Sequence, residues 1–246
     1  GQTALSGNLP LLQRLKGRFT VPVELSDADV ETVTRRVVLA KKADKRKAIE
    51  DILNAYTGEI DRQLVGTRIA PRSEDRSIIV EDYPLLPVRR RFWEHVLRAV
   101  DVPGTSSQLR TQLRIVHEAV RENAEKPLGM VVPADFLFDQ LQPDLLRTGV
   151  LLREIDETIR NLDDGTPEGL LAKRVCALIS LIRKLPREAF ADIGVRASAD
   201  MLADLLVSDL ASDGPALRRE IPLILDKLVE EGKLIRLDEE YSLQTR

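Results

Sequence analysis

The sequence predicts a mainly all-α protein that closes on a small β-hairpin, and three observations lead there. Hydrophobic residues make up 43% of the chain but aromatics only 4%, so the apolar volume comes from Leu, Val, Ile and Ala, which suit helix faces better than the faces of a sandwich. Apolar side chains recur at helical spacing through most of the length, with 31% charged residues between them. Strand-like alternation is confined to short stretches, chiefly residues 234–237 and 241–244. At 246 residues the chain is long enough for one large domain or two smaller ones.

Each element follows from local chemistry. Residues 9–16 read as a short amphipathic helix, and residues 19–25 alternate as a brief strand through Phe19, Val21, Val23 and Leu25. Ser26 suits an N-cap, with Asp27 and Asp29 in the first turn, where negative charge favours the helix dipole. Val30, Val33, Val37 and Val38 form the apolar face of that helix, and Lys41-Lys42 close its last turn. Residues 44–64 read as a second helix with Ile49, Ile52, Leu53, Tyr56 and Ile60 on one side, and residues 67–82 as a loop carrying a short Ile-Ile-Val strand. A third helix covers about 88–100, and a fourth starts near Thr105 with Leu109, Leu113, Val116 and Val120 in one stripe. Lys126-Pro127-Leu128-Gly129 breaks the pattern; helices follow at 133–141 and 143–161, the latter interrupted near Thr148-Gly149. The turn Asp163-Asp164-Gly165-Thr166-Pro167 is a second boundary, so the expected units are 1–126, a helical connector 127–164, and 165–246.

The last unit has a recognisable grammar: helices at 168–184, 198–206 and 216–231, the third ended by Gly232, then two short strands joined by Asp238-Glu239-Glu240. Three helices and a hairpin in that order predict a winged helix-turn-helix. The usual reading is DNA binding through the third helix, where Arg218 and Arg219 are the candidate nucleic-acid contacts. Charge favours protein contact instead: residues 201–246 carry six basic and ten acidic side chains, and the wing tip is acidic.

The net charge of −3 conceals an asymmetry. Residues 1–126 hold 22 Lys+Arg against 18 Asp+Glu, and residues 127–246 hold 15 against 22. Cys176 is the sole cysteine, which excludes an internal disulfide framework and a cysteine-rich zinc module. No apolar run approaches the roughly 20 residues of a membrane helix, and no signal-like segment opens the chain, so a soluble cytoplasmic protein is expected. The chain starts at Gly1 rather than Met, which suggests a piece of something longer. Phosphate-loop, dinucleotide, nucleophile-elbow and zincin motifs are all missing. His95 and His117 fall on separate predicted helices without matching ligand spacing, so no metal site is expected, and Cys176 on an apolar face reads as a structural thiol.

Two stretches look like parts of a nucleotide site. Leu11-Leu12-Gln13-Arg14-Leu15-Lys16-Gly17-Arg18-Phe19, followed by a strand and a capped helix, resembles the end of an AAA+ ATPase core running into its helical lid. There an arginine reaches the γ-phosphate held by a neighbouring subunit, because a guanidinium is permanently charged and its fork matches phosphoryl oxygens. Arg18 fits this arginine-finger position best, with Arg14 second. Ser107-Gln108-Leu109-Arg110 resembles the sensor-2 segment that opens the third lid helix, which implies that Arg110, with Arg114 as the fallback, touches nucleotide phosphates.

Longer phrases narrow the resemblance. Arg18-Phe19-Thr20-Val21-Pro22-Val23-Glu24-Leu25-Ser26-Asp27-Ala28-Asp29-Val30, Tyr83-Pro84-Leu85-Leu86-Pro87, Arg91-Phe92-Trp93-Glu94, Gln108-Leu109-Arg110-Thr111-Gln112-Leu113-Arg114 and Tyr241-Ser242-Leu243-Gln244-Thr245 resemble the P-loop ATPases of BREX and Pgl phage-resistance systems, the BrxC and PglY proteins. The resemblance spans nearly the whole chain. It implies a fragment downstream of the ATPase core: a lid-like helical domain, a connector and a winged helix from a large cytoplasmic bacterial ATPase. ATP and Mg would belong to the parent protein, with none expected for the fragment alone. The implied partners are further copies in an AAA+-type oligomer and other defence-system proteins, with DNA as an alternative partner and no membrane. The sequence departs from the family in lacking the Walker A and Walker B segments, so the fragment itself is not expected to hydrolyse ATP. The competing class is a non-enzymatic winged-helix DNA-binding regulator or scaffold. Two other features have more than one reading. Trp93, with Phe92 and Tyr83, is a core anchor or a base-stacking platform, and Arg89-Arg90-Arg91 is a solvated helix face, a subunit contact or a nucleic-acid patch.

Overall fold

The computed structural model describes residues 32–100 and 108–244, with side chains from 32–100 and 111–244. Among the described residues helix accounts for 61%, and the strands form one two-stranded antiparallel sheet near the C-terminus, as the composition predicts. The helix at 9–16, the strand at 19–25, the Ser26 cap, Arg14 and Arg18 lie outside the described residues.

The described chain begins in a helical segment whose last turn is a π-helix, Thr34–Val38, in which the Leu39 N–H donates to the Thr34 carbonyl at 2.8 Å. The wider turn rotates the buried face by about one residue. Thr34 and Leu39 are therefore buried, while Val33 and Val37, expected on the apolar face, are exposed, Val37 by 69%. The helix ends before Lys41, whose ammonium donates to the Leu39 and Glu81 carbonyls instead of closing a last turn.

The single helix expected over 44–64 is broken. A 3-10 turn (Ala43–Lys45) leads into α1 (Arg46–Ala55), Tyr56 interrupts, and α2 (Thr57–Asp61) follows. The Thr57 hydroxyl, bonded back to the Leu53 and Asn54 carbonyls, takes up acceptors at the break. Residues 67–74 are irregular as expected, but the Ile-Ile-Val strand and the end of the expected loop are instead a helix, α3 (Asp75–Asp82). Asp75 Oδ2 accepts the Arg72 N–H and the Ser77 hydroxyl donates to the Glu74 carbonyl, so the helix start is fixed by hydrogen bonds that β propensity does not weigh. Next come α4 (Pro87–Val100) and α5 (Gln108–Asn123), which buries Ile115, Val116 and Ala119.

The 130–134 stretch is an extended strap. Val131 donates to Ser208, Val132 to Pro84 and Ala134 to Leu205, all through backbone atoms at 2.7–2.9 Å, and Met130 bridges Asp209. Side chains from α4 satisfy two strap carbonyls: Trp93 Nε1 donates to Ala134 at 3.0 Å, and Arg89 to Val132 at 2.7 Å. A buried connection must pair its backbone groups somewhere, and this one pairs them on both sides. One hydrophobic cluster accordingly runs from Leu39 to Tyr241. Trp93 and Phe92 are core residues, with the Trp93 ring stacked 5.9 Å from Phe136.

Beyond the strap, α6 (Phe136–Arg147) continues through Pro143 and ends where Gly149 takes φ 72°; α7 (Arg153–Asn161) starts afresh. The second helix of the expected pair is thus 153–161, and the proline sits inside its predecessor. Thr166 caps α8 (Pro167–Ile182) by accepting from the Gly169 N–H at 3.0 Å, with Pro167 at the first position. Residues 171–182 of α8 bury almost every side chain, and the helix packs against α6, α7, α9 (Ala199–Leu206) and α10 (Asp213–Glu230). Gly232 at φ 68° ends α10, and the hairpin follows as β1 (Leu234–Leu237) and β2 (Glu240–Leu243), with Leu234 opposite Leu243 and Arg236 opposite Tyr241. On its other side β2 meets residue 197, since the Tyr241 N–H donates to the Ala197 carbonyl at 2.9 Å.

Candidate functional site

The charged residues that matter most inside the fold lie where the front helices meet the back bundle. Arg218, on the second turn of α10, makes a two-pronged pair with Glu59 of α2 (2.6 and 3.0 Å) and a third bond to Asp204 of α9 (3.0 Å). Asp204 also accepts the Leu64 N–H at 3.0 Å, and its backbone carbonyl accepts from Arg89 at 3.3 Å. Leu64 is buried at φ 53°, a left-handed conformation a branched side chain rarely adopts, and its bond to Asp204 helps hold it there. Glycine at 214 leaves the pair in place: a Cβ there would stand 2.5 Å from Glu59 Oε2 and 2.7 Å from Arg218 Nη1, so one of these side chains would have to shift.

Electrostatics follow from burial. Arg89 is 0% exposed, and burial pushes it down to about 10, which leaves it charged at neutral pH. Burial raises Asp204 above the ordinary carboxylate range, although the Leu64 N–H and Arg218 pull the other way. The bonds to Glu59 and Asp204 raise Arg218 further despite its burial. A neighbouring pair repeats the design: Arg174 of α8 grips Asp135 through two bonds (2.8 and 3.1 Å) and reaches the Leu206 carbonyl.

The front has its own inward-facing arginines. Arg90 donates to Asp82, which also receives Arg35, and Arg91 grips Asp75 at 2.7 and 2.8 Å while donating to the Ile69 and Ala70 carbonyls. Burial alone would raise Asp75, but the Arg91 bonds and the Arg72 N–H outweigh it and hold the carboxyl below its ordinary range. Arg89-Arg90-Arg91 is therefore neither a solvated face nor an open patch. Its acids, Asp75 and Asp82, lie in the segment expected to be a loop.

The sequence-predicted residues are only partly within the described residues. Arg18 is outside the described residues. Arg110 lies on the first turn of α5, and its side chain is likewise outside them. Arg114, one turn on, is exposed and donates to Gln140 of α6 at 3.1 Å. Of the two candidate DNA contacts, Arg218 turns inward onto carboxylates and Arg219 alone is exposed. Glu59, Asp204 and Asp75, which sequence reasoning passed over, carry the interior network; no motif marks them, because their partners lie as far as 159 positions away.

Burial pushes the Cys176 thiol up to about 12, which removes thiolate character. His117 is exposed beside Glu118, and burial with the nearby Arg98 charge holds His95 below its usual value. Among the described residues no group of three or more His, Cys, Asp or Glu side chains is placed to hold a metal ion, and no helix is long and apolar enough to cross a membrane. No family model, curated protein or solved structure matches the chain.

Proposed function

We propose that the chain is the lid and winged-helix region of a BREX/Pgl-type P-loop ATPase in bacterial phage defence, without catalytic activity of its own. In this reading Arg18 acts as an arginine finger and Arg110, with Arg114 behind it, senses nucleotide from the lid, while ATP and Mg are held by a P-loop core outside this sequence. The guanidinium groups would supply fixed positive charge where phosphoryl oxygens become more negative.

The observation that carries the reading is the interlock around Asp204 and the strap. A lid is useful only if its displacement is passed on, and side chains on α2, α4, α9 and α10 meet there through buried, charge-assisted bonds. A push on the front helices would therefore move the back bundle with them. Three helices followed by a hairpin, with residue 197 bonded to the outer edge of β2, support the winged-helix assignment. The exposed face of α10 carries Arg219, Glu220, Leu223, Asp226, Lys227 and Glu230, more acid than base with a bare leucine among them. Such a face suits a protein partner, another subunit or a defence-system protein, better than a DNA groove.

ATP turnover by the complete protein tests this. Arg18→Ala is expected to lower kcat on the order of 10³-fold, the usual scale for an arginine finger, and Arg110→Ala to lower it by a smaller factor. Unchanged turnover in both variants would overturn the assignment. So would a coding sequence upstream of Gly1 with no Walker A lysine within roughly two hundred residues, the span of one core domain.

A further inference from the structure

A cleft of about 630 Å³ opens between α4, the turn at residues 68–72 and the segment 186–193. Its walls hold four arginines (Arg68, Arg72, Arg91 and Arg98) against the single carboxylate of Glu94. Arg91 is committed to Asp75, and Arg68 is structural: its guanidinium donates to the Ala189 and Phe190 carbonyls at 3.1 and 2.9 Å, while its N–H donates to Ile193. Arg72 and Arg98 differ. Both are exposed, and neither forms a salt bridge among the described residues; the Arg72 guanidinium donates to the Arg68 carbonyl at 3.2 Å, while its N–H donates to Asp75, whose carboxyl also feels the Arg72 charge.

At the lip stands Phe190, 98% exposed, the barest large apolar side chain among the described residues. Its position is fixed from below by the Arg68 clamp and from behind by Asp192, which grips Arg196 at 2.5 and 2.9 Å and accepts the Gly194 N–H. A phenylalanine costs free energy when held in water, and a hydrogen-bonded loop that holds one out beside guanidinium groups outside any salt bridge makes a platform with cations at its edge. A peptide anchor would want a pocket to fill, whereas Phe190 offers an open ring face to lie upon. Arginines whose guanidinium groups stand outside any salt bridge suit phosphates, which accept their forked donors. In a duplex the base faces are already stacked, so only an unpaired base can reach the ring.

We propose that this cleft binds single-stranded nucleic acid, with Arg72 and Arg98 on neighbouring phosphates and Phe190 stacked on an unpaired base. The proposal uses neither Arg18, Arg110 nor the α10 face, and it stands or falls independently of the lid reading.

Fluorescence anisotropy with a labelled oligothymidylate of about 12 nucleotides, within the site sizes of stacking platforms, tests the proposal. Binding should weaken with salt, by a slope of about −0.7 per phosphate neutralised. Phe190→Ala should lose about five- to hundredfold in affinity, the range for one base–aromatic stack, and Arg72→Gln with Arg98→Gln about tenfold or more through lost phosphate contacts. All three side chains are exposed, so unchanged melting temperatures should accompany these losses. In Phe190→Trp the oligomer should bind as before and quench the new indole, which a merely electrostatic site would not do. The proposal is overturned if Phe190→Ala binds like the parent chain, if a duplex of equal length binds as tightly, if polyglutamate of equal charge displaces the strand as well as unlabelled strand does, or if no binding occurs at low salt.

Discussion

The two ends of α4 put the same side chain to opposite uses. At its N-terminal end Arg89, Arg90 and Arg91 turn inward and are held by carbonyls or by Asp82 and Asp75. Two turns on, Arg98 faces water beside the equally exposed Arg72. An arginine paired inside a protein fixes the position of whatever it grips, because leaving either partner alone in a low dielectric is costly. An arginine left outside contributes almost nothing to stability and remains available to an anion. The basic excess of residues 1–126 thus divides into a structural part and an available part, and only the second has a bearing on binding.

The sharpest way to break that comparison is to remove an inward arginine. Arg218→Ala leaves Glu59 and Asp204 facing each other with no cation, and should cost about 3–5 kcal/mol in urea or thermal unfolding, the scale for one lost partner of a buried pair. The sign of its pH dependence follows from Asp204. Burial raises that carboxyl in the folded chain, so its ionised form weighs against folding, and the penalty grows as pH rises from the ordinary carboxylate value through the raised one. Without Arg218 the penalty is larger. The difference between variant and parent should therefore be greatest near neutral pH and shrink as pH falls and Asp204 takes up its proton. A loss under about 1 kcal/mol, below the range for breaking a buried pair, or one that grows in acid, would show that the network does not hold the halves together.

A smaller effect sharpens the same point through the backbone. Gly214→Ala has no unfavourable φ to contend with, and on an open helix it would stabilise. Here the added methyl meets Glu59 and Arg218, so either the pair moves or α10 does, at about 1–3 kcal/mol, the usual cost of overpacking. Combining it with Glu59→Ala should remove most of that cost, because the obstructing carboxylate is gone. If the two losses simply add, the close approach is not the cause.

How much of this was legible beforehand depends on whether the deciding partner is near in sequence. The turn before α8, the stop at Gly232 and the hairpin are written in neighbouring residues, and the chain folds there as its local chemistry predicts. The interrupted helix at Tyr56 and the helix at Asp75 depend on tertiary packing and on a backbone-to-carboxylate bond that periodicity does not register. The environment of Arg218 was illegible for the same reason. Arg218 looks like an exposed contact on a helix until Glu59, 159 positions earlier, is brought beside it. Acids and bases so far apart carry no spacing signal, and the one detectable hint was arithmetic: a basic front and an acidic back that nearly cancel.

The smallest expected effect is also the most discriminating. Arg98→Gln removes a full charge from α4 but no hydrogen bond within the described residues, and glutamine keeps nearly the same helix propensity. Its unfolding free energy should stay within about 0.5 kcal/mol of the parent chain, the usual range for surface substitutions away from special features. His95 provides an internal check. The Arg98 charge contributes to holding His95 below its ordinary value, after burial itself, so removing that charge should let the imidazole titrate at higher pH, measurable from its ring resonances by NMR. A lowered His95 value in the folded chain disfavours folding when the ring is charged, so stability falls as pH drops through the unfolded value toward the folded one; in Arg98→Gln that acid-side fall should be shallower. A substitution that leaves neutral-pH stability alone, shifts His95 upward and weakens polyanion binding would mark Arg98 as available, where the same exchange at Arg89 would unfold the protein. If Arg98→Gln instead destabilised as Arg218→Ala does, the division between inward and outward arginines along α4 would collapse.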